Sequence, residues 1–159
     1  MDKRTSIVIL LGAVVSLSIV FLYVNHQTQI SKNGFGIYLT QNDFKVISDA
    51  DVQNYNMTSH ELILTNECAE RMKKMKEPLR GDFVIIIDGK EDLQGIFVPP
   101  IISRSYPSTD VVIVFPTFEE SYKIMRIQMA YPWDQPTGLD PRENSKIIQH
   151  FERTERLIR

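Results

Sequence analysis

Few residues of this sequence could do acid–base, nucleophilic or metal chemistry, and they are scattered along the chain. The three histidines, His26, His60 and His150, do not form the H-E-x-x-H spacing or any similar pattern that binds zinc. Cys68 is the single cysteine, so the chain forms no internal disulfide. No pattern places a histidine beside it to activate the thiol, so we expect it to pack in a core.

Paired carboxylates are the other candidates for chemistry. The pairs are Asp49/Asp51, Glu91/Asp92 and Glu119/Glu120. They fall at predicted turns and helix starts, where capping and the helix dipole already account for acidic residues. The sequence therefore predicts a protein that is not an enzyme and that has no cofactor and no metal ion. A membrane-tethered hydrolase whose distant residues converge is the less favoured alternative.

Composition limits the class of partner. The 159 residues carry a formal net charge of −2 at pH 7, and the pI is about 5.9. This balance excludes a strongly basic surface for nucleic acid on global grounds. The local run of cations at 71–76 fits the solvated face of a helix better than a phosphate-binding patch. We expect no nucleic-acid partner.

The stretch from Ile7 to Val24 is apolar and contains no charged residue. A helix of this length spans roughly 27 Å, which is close to the hydrocarbon core of a bilayer. Lys3 and Arg4 precede it and predict a cytoplasmic N-terminus. The pattern predicts an uncleaved, single-pass signal anchor in the cell membrane, with the rest of the chain extracytoplasmic. A cleaved signal peptide is the alternative.

The residues after this stretch suit one small domain. The composition divides the chain into an N-terminus and anchor (1–24), a polar stalk (25–34), a folded domain (35–131), and a Pro/Gly-rich connection with a C-terminal helix (132–159). Strands are predicted at 35–39, 44–47, 61–64, 83–87, 93–98 and 111–115. Asp88-Gly89 predicts a tight hairpin turn, because both central positions of such a turn need a positive φ.

Two amphipathic helices are predicted inside the domain, one after Thr65 and one after the capping box Thr117-x-x-Glu120. Their apolar positions are Cys68, Met72, Met75 and Leu79 in the first, and Phe118, Tyr122, Met125 and Met129 in the second. A third helix is predicted to start at Asp140. The expected fold class is α+β: one N-terminal transmembrane helix, then a small domain with a mixed or antiparallel sheet of about 4–5 strands, two packed helices and a C-terminal helix.

Several short motifs between residues 60 and 130 share one order along the chain. They are Leu64-Thr65 before a helix, Gly81 before a strand, Ile86-Ile87-Asp88-Gly89-Lys90 at a turn, Pro100-Ile101, and Thr117-Phe118-Glu119-Glu120-Ser121 at a helix start. In this order they resemble the head part of the first large periplasmic domain of SecD, the accessory subunit of the protein-export translocase. The resemblance implies a surface that binds a substrate or partner. Proton-driven work by this chain alone is excluded, because the apolar stretch contains no ionisable residue.

We therefore expect an extracytoplasmic, membrane-anchored binding or adaptor module, accessory to protein export or envelope assembly. The expected partners are the membrane, through the single anchor, and another envelope protein or an exported polypeptide. The loops at 99–110 and 131–138 are the predicted binding surfaces, because loops often carry function. Their candidate partner-binding residues are Tyr106, Trp133, Ile102 and Tyr131. A structural subunit that forms oligomers through the C-terminal helix is the alternative.

Overall fold

One mixed sheet of nine strands dominates the described part of the chain. The structure, a computed structural model, describes residues 33–75, 79–116, 121–143 and 145–159. The strands are β1 Phe35–Leu39, β2 Phe44–Ser48, β3 Val52–Asn56, β4 Glu61–Leu64, β5 Gly81–Ile87, β6 Lys90–Val98, β7 Tyr106–Val114, β8 Ile124–Tyr131 and β9 Leu157–Ile158. The helices of these residues are α1 Asn66–Lys73 and α2 Lys146–Arg153, and a 3-10 turn covers Asp49–Asp51. Residues Gly34–Arg159 form one compact unit.

The strand order is β2-β1-β5-β6-β7-β8-β4-β3-β9. Neighbouring strands are antiparallel, except that β6 pairs with β7 and β3 pairs with β9 in parallel. Side chains alternate between the two faces of β7: Val111 and Ile113 belong to the main core, and Val112 and Val114 belong to a smaller cluster on the other face. The continuous apolar run of this strand is explained by burial on both faces.

The short connection between β2 and β3 requires the sheet to curl. These strands lie seven positions apart in the order, which in a flat sheet is about 34 Å. The link from Ser48 to Val52 can span at most about 14 Å. Register shifts within the pairings of β1 with β2, β3 with β4, and β5 with β6 mark bulges or irregularities, which bend strands. The two ends of the sheet therefore approach each other.

The apolar core lies inside this curl, and α2 packs on strands from both ends of the sheet. The centroid of the Phe151 ring lies 5.2 Å from that of Phe35 in β1 and 5.5 Å from that of Tyr55 in β3. Ile147, one turn earlier on the same helix face, is fully buried. Phe151 therefore contacts two strands that are distant in the sheet order. The large apolar area of its ring is buried between them.

Two local predictions are confirmed. The hydroxyl of Thr65 accepts a hydrogen bond from the Cys68 backbone N–H and caps α1, and the sulfur-bearing side chains of Cys68 and Met72 are buried. Asp88 and Gly89 form the turn between the antiparallel strands β5 and β6, with φ values of 49° and 78°. Both follow from local chemistry that tertiary packing does not change.

The predicted fold class is wrong in its balance of strands and helices. The described residues contain nine strands rather than about 4–5, and Ile124–Tyr131 is strand β8 rather than the second predicted helix. Met125, Ile127 and Met129 alternate toward the core, so a period of two fits this segment as well as the helical spacing did. Hydrogen bonding to β7 on one side and β4 on the other stabilises this segment as a strand rather than a helix. The predicted capping box at 117–120 lies outside the described residues.

The C-terminal helix begins later than predicted. Helix α2 starts at Lys146, because Asp140 is engaged by the backbone N–H and the guanidinium of Arg142 and does not cap a helix. Ile158, inside the range predicted to hold the C-terminal helix, belongs to β9. The first predicted helix is also shorter than expected, since α1 ends at Lys73 and the Met75 side chain is partly exposed.

The predicted transmembrane helix, cell-membrane anchor and extracytoplasmic localisation also need correction. Among residues 33–75, 79–116, 121–143 and 145–159, no helix has the length and apolar character needed to cross a bilayer. The stretch Ile7 to Val24, on which these predictions depended, lies outside the described residues. No described helix corresponds to the predicted anchor, so the anchor and the localisation that depended on it are not supported.

Candidate partner-binding surface

Three of the four residues predicted to bind a partner lie where β7 begins and β8 ends, and the fourth, Ile102, lies in the connection between the parallel strands β6 and β7. Tyr106 begins β7 and Tyr131 ends β8, and the two are cross-strand partners. The Tyr131 hydroxyl donates to the carbonyl oxygen of Pro100 at 2.7 Å, which holds the loop that carries Ile102. Trp133 follows two residues after β8. The strand pairing of β7 with β8 thus brings both predicted loops together.

These four residues differ in what they offer to a partner. Trp133 is 73% exposed, and Ile102 is partly exposed. Tyr131 is 5% exposed and packs with Val98, so it supports the surface from beneath. The guanidinium of Arg104 lies 4.9 Å from the centroid of the Tyr106 ring and covers one face of it. Trp133 is therefore the main aromatic contact available at this end.

Two further exposed residues were not predicted. Ile101 is 92% exposed and Leu139 is 93% exposed. The Ser108 and Thr137 hydroxyls are hydrogen-bonded at 2.7 Å, which ties the loop of Leu139 to β7. We call Ile101, Ile102, Trp133 and Leu139 the apolar surface. Each missed residue is a large aliphatic side chain beside Pro or Gly in a loop, and that signal was available in the sequence.

The loop that carries Trp133 is fastened to β8 by Asp134. One carboxylate oxygen of Asp134 accepts the Met129 backbone N–H at 2.8 Å, and the other accepts a guanidinium N–H of Arg142 at 2.7 Å. The backbone N–H of Gln135 donates to the Met129 carbonyl at 2.9 Å. Trp133 is therefore exposed on a backbone whose conformation is fixed by its neighbours, which lowers the entropy lost on binding.

Arg142 is the centre of this support and is buried. Its guanidinium forms a two-pronged pair with Asp140, at 2.9 Å and 2.6 Å, and also donates to the Ile127 carbonyl at 2.9 Å. With Asp134 this makes two carboxylates around one cation. A buried charge is tolerated only when it is paired and hydrogen-bonded in this way.

The network continues to a buried tyrosine and histidine. The Tyr55 hydroxyl lies 2.9 Å from Nδ1 of His60, and Nε2 of His60 lies 4.0 Å from an Asp140 oxygen. Burial, and then the charge of Arg142, lower the pKa of His60. Burial raises the pKa of Tyr55. These shifts keep both groups neutral at pH 7, so Arg142 and its two carboxylates carry the charge of the network.

The same charges fix the ionised form of Asp140. Burial acts to raise its pKa, but the hydrogen bonds and charge of Arg142 outweigh burial, and the pKa of Asp140 is lowered overall. The Arg142 guanidinium has its pKa raised in turn: burial opposes this, and the bonds to Asp140 and Asp134 outweigh it. Both partners are therefore charged throughout the physiological pH range.

A second histidine–carboxylate pair lies elsewhere, at the start of the β2–β3 connection. Nε2 of His150 lies 2.7 Å from Asp49, and Asp49 also accepts from Arg156 at 2.7 Å. In the described part of the chain, no Ser, Thr or Cys side chain is hydrogen-bonded to an imidazole nitrogen of His150. The arrangement thus lacks the nucleophile that a histidine base would activate.

The remaining groups are the Cys68 thiol and the side chains that could bind a metal ion. Burial raises the pKa of the Cys68 thiol to about 11, so it is protonated and unreactive at pH 7. Within residues 33–75, 79–116, 121–143 and 145–159, no group of three or more His, Cys, Asp or Glu side chains could hold a metal ion.

Comparison with known proteins adds no relative. No family model matches the chain, and no curated protein and no solved structure matches it. The resemblance to the SecD head therefore stays a sequence-based expectation.

Proposed function

We propose that this protein is a non-catalytic binding module, and that the apolar surface binds an apolar segment of another polypeptide. The observation that carries the proposal is the exposure of Trp133 and Leu139 on a loop held by buried ion pairs. A large exposed aromatic side chain on a rigid backbone is typical of the residues that dominate binding energy in interfaces.

The distribution of exposed apolar side chains supports this location. Seven large hydrophobic residues are exposed in the described part of the chain, and the apolar surface contains four of them. The other three lie on three different elements: Phe44 on β2, Met75 after α1 and Ile158 on β9. Single exposed hydrophobic residues are ordinary, whereas a group on two adjoining loops indicates an interaction site.

An exported polypeptide or an envelope protein is the partner class that the SecD resemblance favours, since the resemblance implies a surface for a substrate or partner. Oligomer formation through the C-terminal helix has less support. The apolar face of α2 is occupied, because Ile147 and Phe151 are fully buried inside the domain.

The single tryptophan gives a direct test. Trp133 is the only indole in the chain, so its fluorescence reports the apolar surface alone. Titration of the full chain with a Trp-free peptide rich in Leu, Val and Phe should shift the emission to shorter wavelength and saturate. A peptide of equal length made of Ser, Gln and Gly should cause no shift.

Matched substitutions complete the test. Leu139→Ser should weaken peptide binding at least about tenfold, because it removes a fully exposed contact without touching the core. Phe44→Ser, an equally apolar-to-polar change on β2, should leave the affinity unchanged. Equal affinities for wild type and Leu139→Ser would contradict the proposed surface.

A further inference from the structure

A cavity with a cationic lining lies between α2 and the β5–β6 turn. Its volume is about 380 Å³. Lys146, Gln149, His150 and Arg153 line one side, at the spacing of a single helix face, and Asp88 and Lys90 line the other. This cavity involves none of the residues of the apolar surface, so its use is independent of the proposed function.

The charge of the lining is unbalanced. Three cations, Lys90, Lys146 and Arg153, face one carboxylate, Asp88. Asp88 is already engaged, since it accepts the Gly34 backbone N–H at 3.1 Å and a guanidinium N–H of Arg153 at 2.8 Å. Within the described residues, neither the Lys90 ammonium nor the Lys146 ammonium has a hydrogen-bond or ion-pair partner. The whole chain has a net charge of −2, so this concentration of cations is a local feature.

Neighbouring carboxylates offset only part of this charge. Asp49, on the far side of His150, is occupied by Arg156 and by Nε2 of His150. Asp92 lies near the start of α2 and does not line the cavity; one of its oxygens accepts the Lys146 backbone N–H at 3.0 Å, and the other is buried without a hydrogen-bond partner among the described residues, so its charge offsets part of that of the cations. The helix N-terminus is therefore partly satisfied already, and the side-chain cations are what the cavity offers.

The polar groups of the cavity also have suitable donors. Lysine ammonium groups act as point charges for phosphate, and an arginine fork supplies directed N–H donors. The Gln149 amide adds two neutral donors. A phosphate monoester carries up to two negative charges and three acceptor oxygens, which matches two free ammonium groups and one partly engaged guanidinium better than a single carboxylate does.

We propose that this cavity binds the phosphate group of a small phosphorylated molecule, with Lys90 and Lys146 as the principal charge partners and Arg153 as the directing donor. The volume is at the lower end of the roughly 300–1,000 Å³ typical of small-molecule sites. It therefore accommodates a phosphate together with a small organic group and is larger than a bare ion needs.

The proposal is tested by calorimetric titration of the full chain at low salt with three probes: inorganic phosphate, glycerol 3-phosphate and adenosine 5′-monophosphate. We expect saturable binding that is tightest for one of the two esters and that weakens as salt is added. Equal binding of inorganic phosphate would support the same site with free phosphate as its ligand. No saturable binding of any probe, or tighter binding of citrate than of all three, would overturn the proposal.

Variants locate the binding. The double change Lys90→Gln and Lys146→Gln should weaken binding of the best probe at least about tenfold, because both free ammonium groups are lost. Lys123→Gln, which neutralises an exposed lysine outside the cavity, is the matched control and should bind as wild type does. Equal loss in the control, or no loss in the double variant, would contradict the assignment. Far-ultraviolet circular dichroism establishes that all variants are folded.

Discussion

Two arginines attach the C-terminal part of the chain to the sheet, and they differ in exposure. The Arg142 side chain is 3% exposed and the Arg153 side chain is 63% exposed. Arg142 uses its donors on two carboxylates and a carbonyl, whereas Arg153 pairs with a half-exposed Asp88 at the edge of a cavity. A buried cation with committed donors fixes the structure, and an exposed one keeps donors available for a ligand.

The largest effect is expected from removal of the buried cation. Arg142→Met keeps much of the side-chain volume but leaves Asp140 buried without its partner, so the free energy of unfolding should fall by about 3–5 kcal/mol. Urea denaturation at pH 7 measures this loss. A second change, Asp140→Leu in the same chain, should restore part of it. A loss under about 1 kcal/mol in Arg142→Met would show that this buried ion pair contributes little to the free energy of unfolding.

Acid should weaken the buried network in two stages. The pKa of His60 is lowered in the folded state, so below about pH 6.5 the unfolded chain binds a proton that the folded chain does not, and stability falls as the pH decreases. The lowered pKa of Asp140 acts in the same direction at lower pH: its contribution is complete above about pH 3.9 and is lost as the pH falls through the folded value.

The first stage can be assigned by substitution. Urea midpoints of wild type and His60→Gln, measured from pH 7.5 to 5, should converge as the pH falls, because the variant lacks the His60 contribution. The other histidines are present in both chains and cancel in the difference. Parallel curves would mean that His60 does not titrate differently in the folded and unfolded states.

A smaller effect is expected at the exposed arginine. Arg153→Met should change the free energy of unfolding by less than about 1 kcal/mol, because solvent screens its pair with Asp88. Since the substitution is the same as at Arg142, the two urea curves compare burial directly. A loss as large as that of Arg142→Met would show that exposure does not separate the two arginines.

The smallest effect on stability is expected at the apolar surface. Trp133→Ala should change stability by no more than about 0.5 kcal/mol, since the side chain is mostly exposed. Binding of a fluorescently labelled apolar peptide, followed by anisotropy, should nevertheless be lost. Retained binding would locate the partner site elsewhere, and a large loss of stability would show that the indole packs in the folded domain.

The sequence predicted features that depend on near neighbours. The cap at Thr65, the turn at Asp88-Gly89 and the burial of Cys68 follow from side-chain chemistry within a few residues. Tyr106 and Trp133, which come from the two predicted loops, do lie at the same end of β7 and β8. The reason is that Tyr106 is the cross-strand partner of Tyr131, two residues before Trp133.

Features that depend on distant pairing were missed. Met125 and Met129 fit both helical and strand periods, and only the neighbouring strands β7 and β4 decide between them. The Asp140–Arg142 pair reads as a helix start in sequence, because nothing local reveals that the arginine is buried under β8. The cavity formed by Lys90 and Lys146 joins residues 56 positions apart in sequence, and no spacing rule connects them.

The position of Phe151 has a consequence for the order in which the domain is completed during synthesis. Its ring contacts Phe35 and Tyr55, which are among the earliest residues of the folded unit, so these contacts close very long loops. A nascent chain that has emerged only to Asn144 has every strand from β1 to β8. It lacks the Phe151 ring that packs between the two ends of the sheet. We expect the apolar interior of the curled sheet to stay accessible until α2 has been added, which makes aggregation most favourable in that interval.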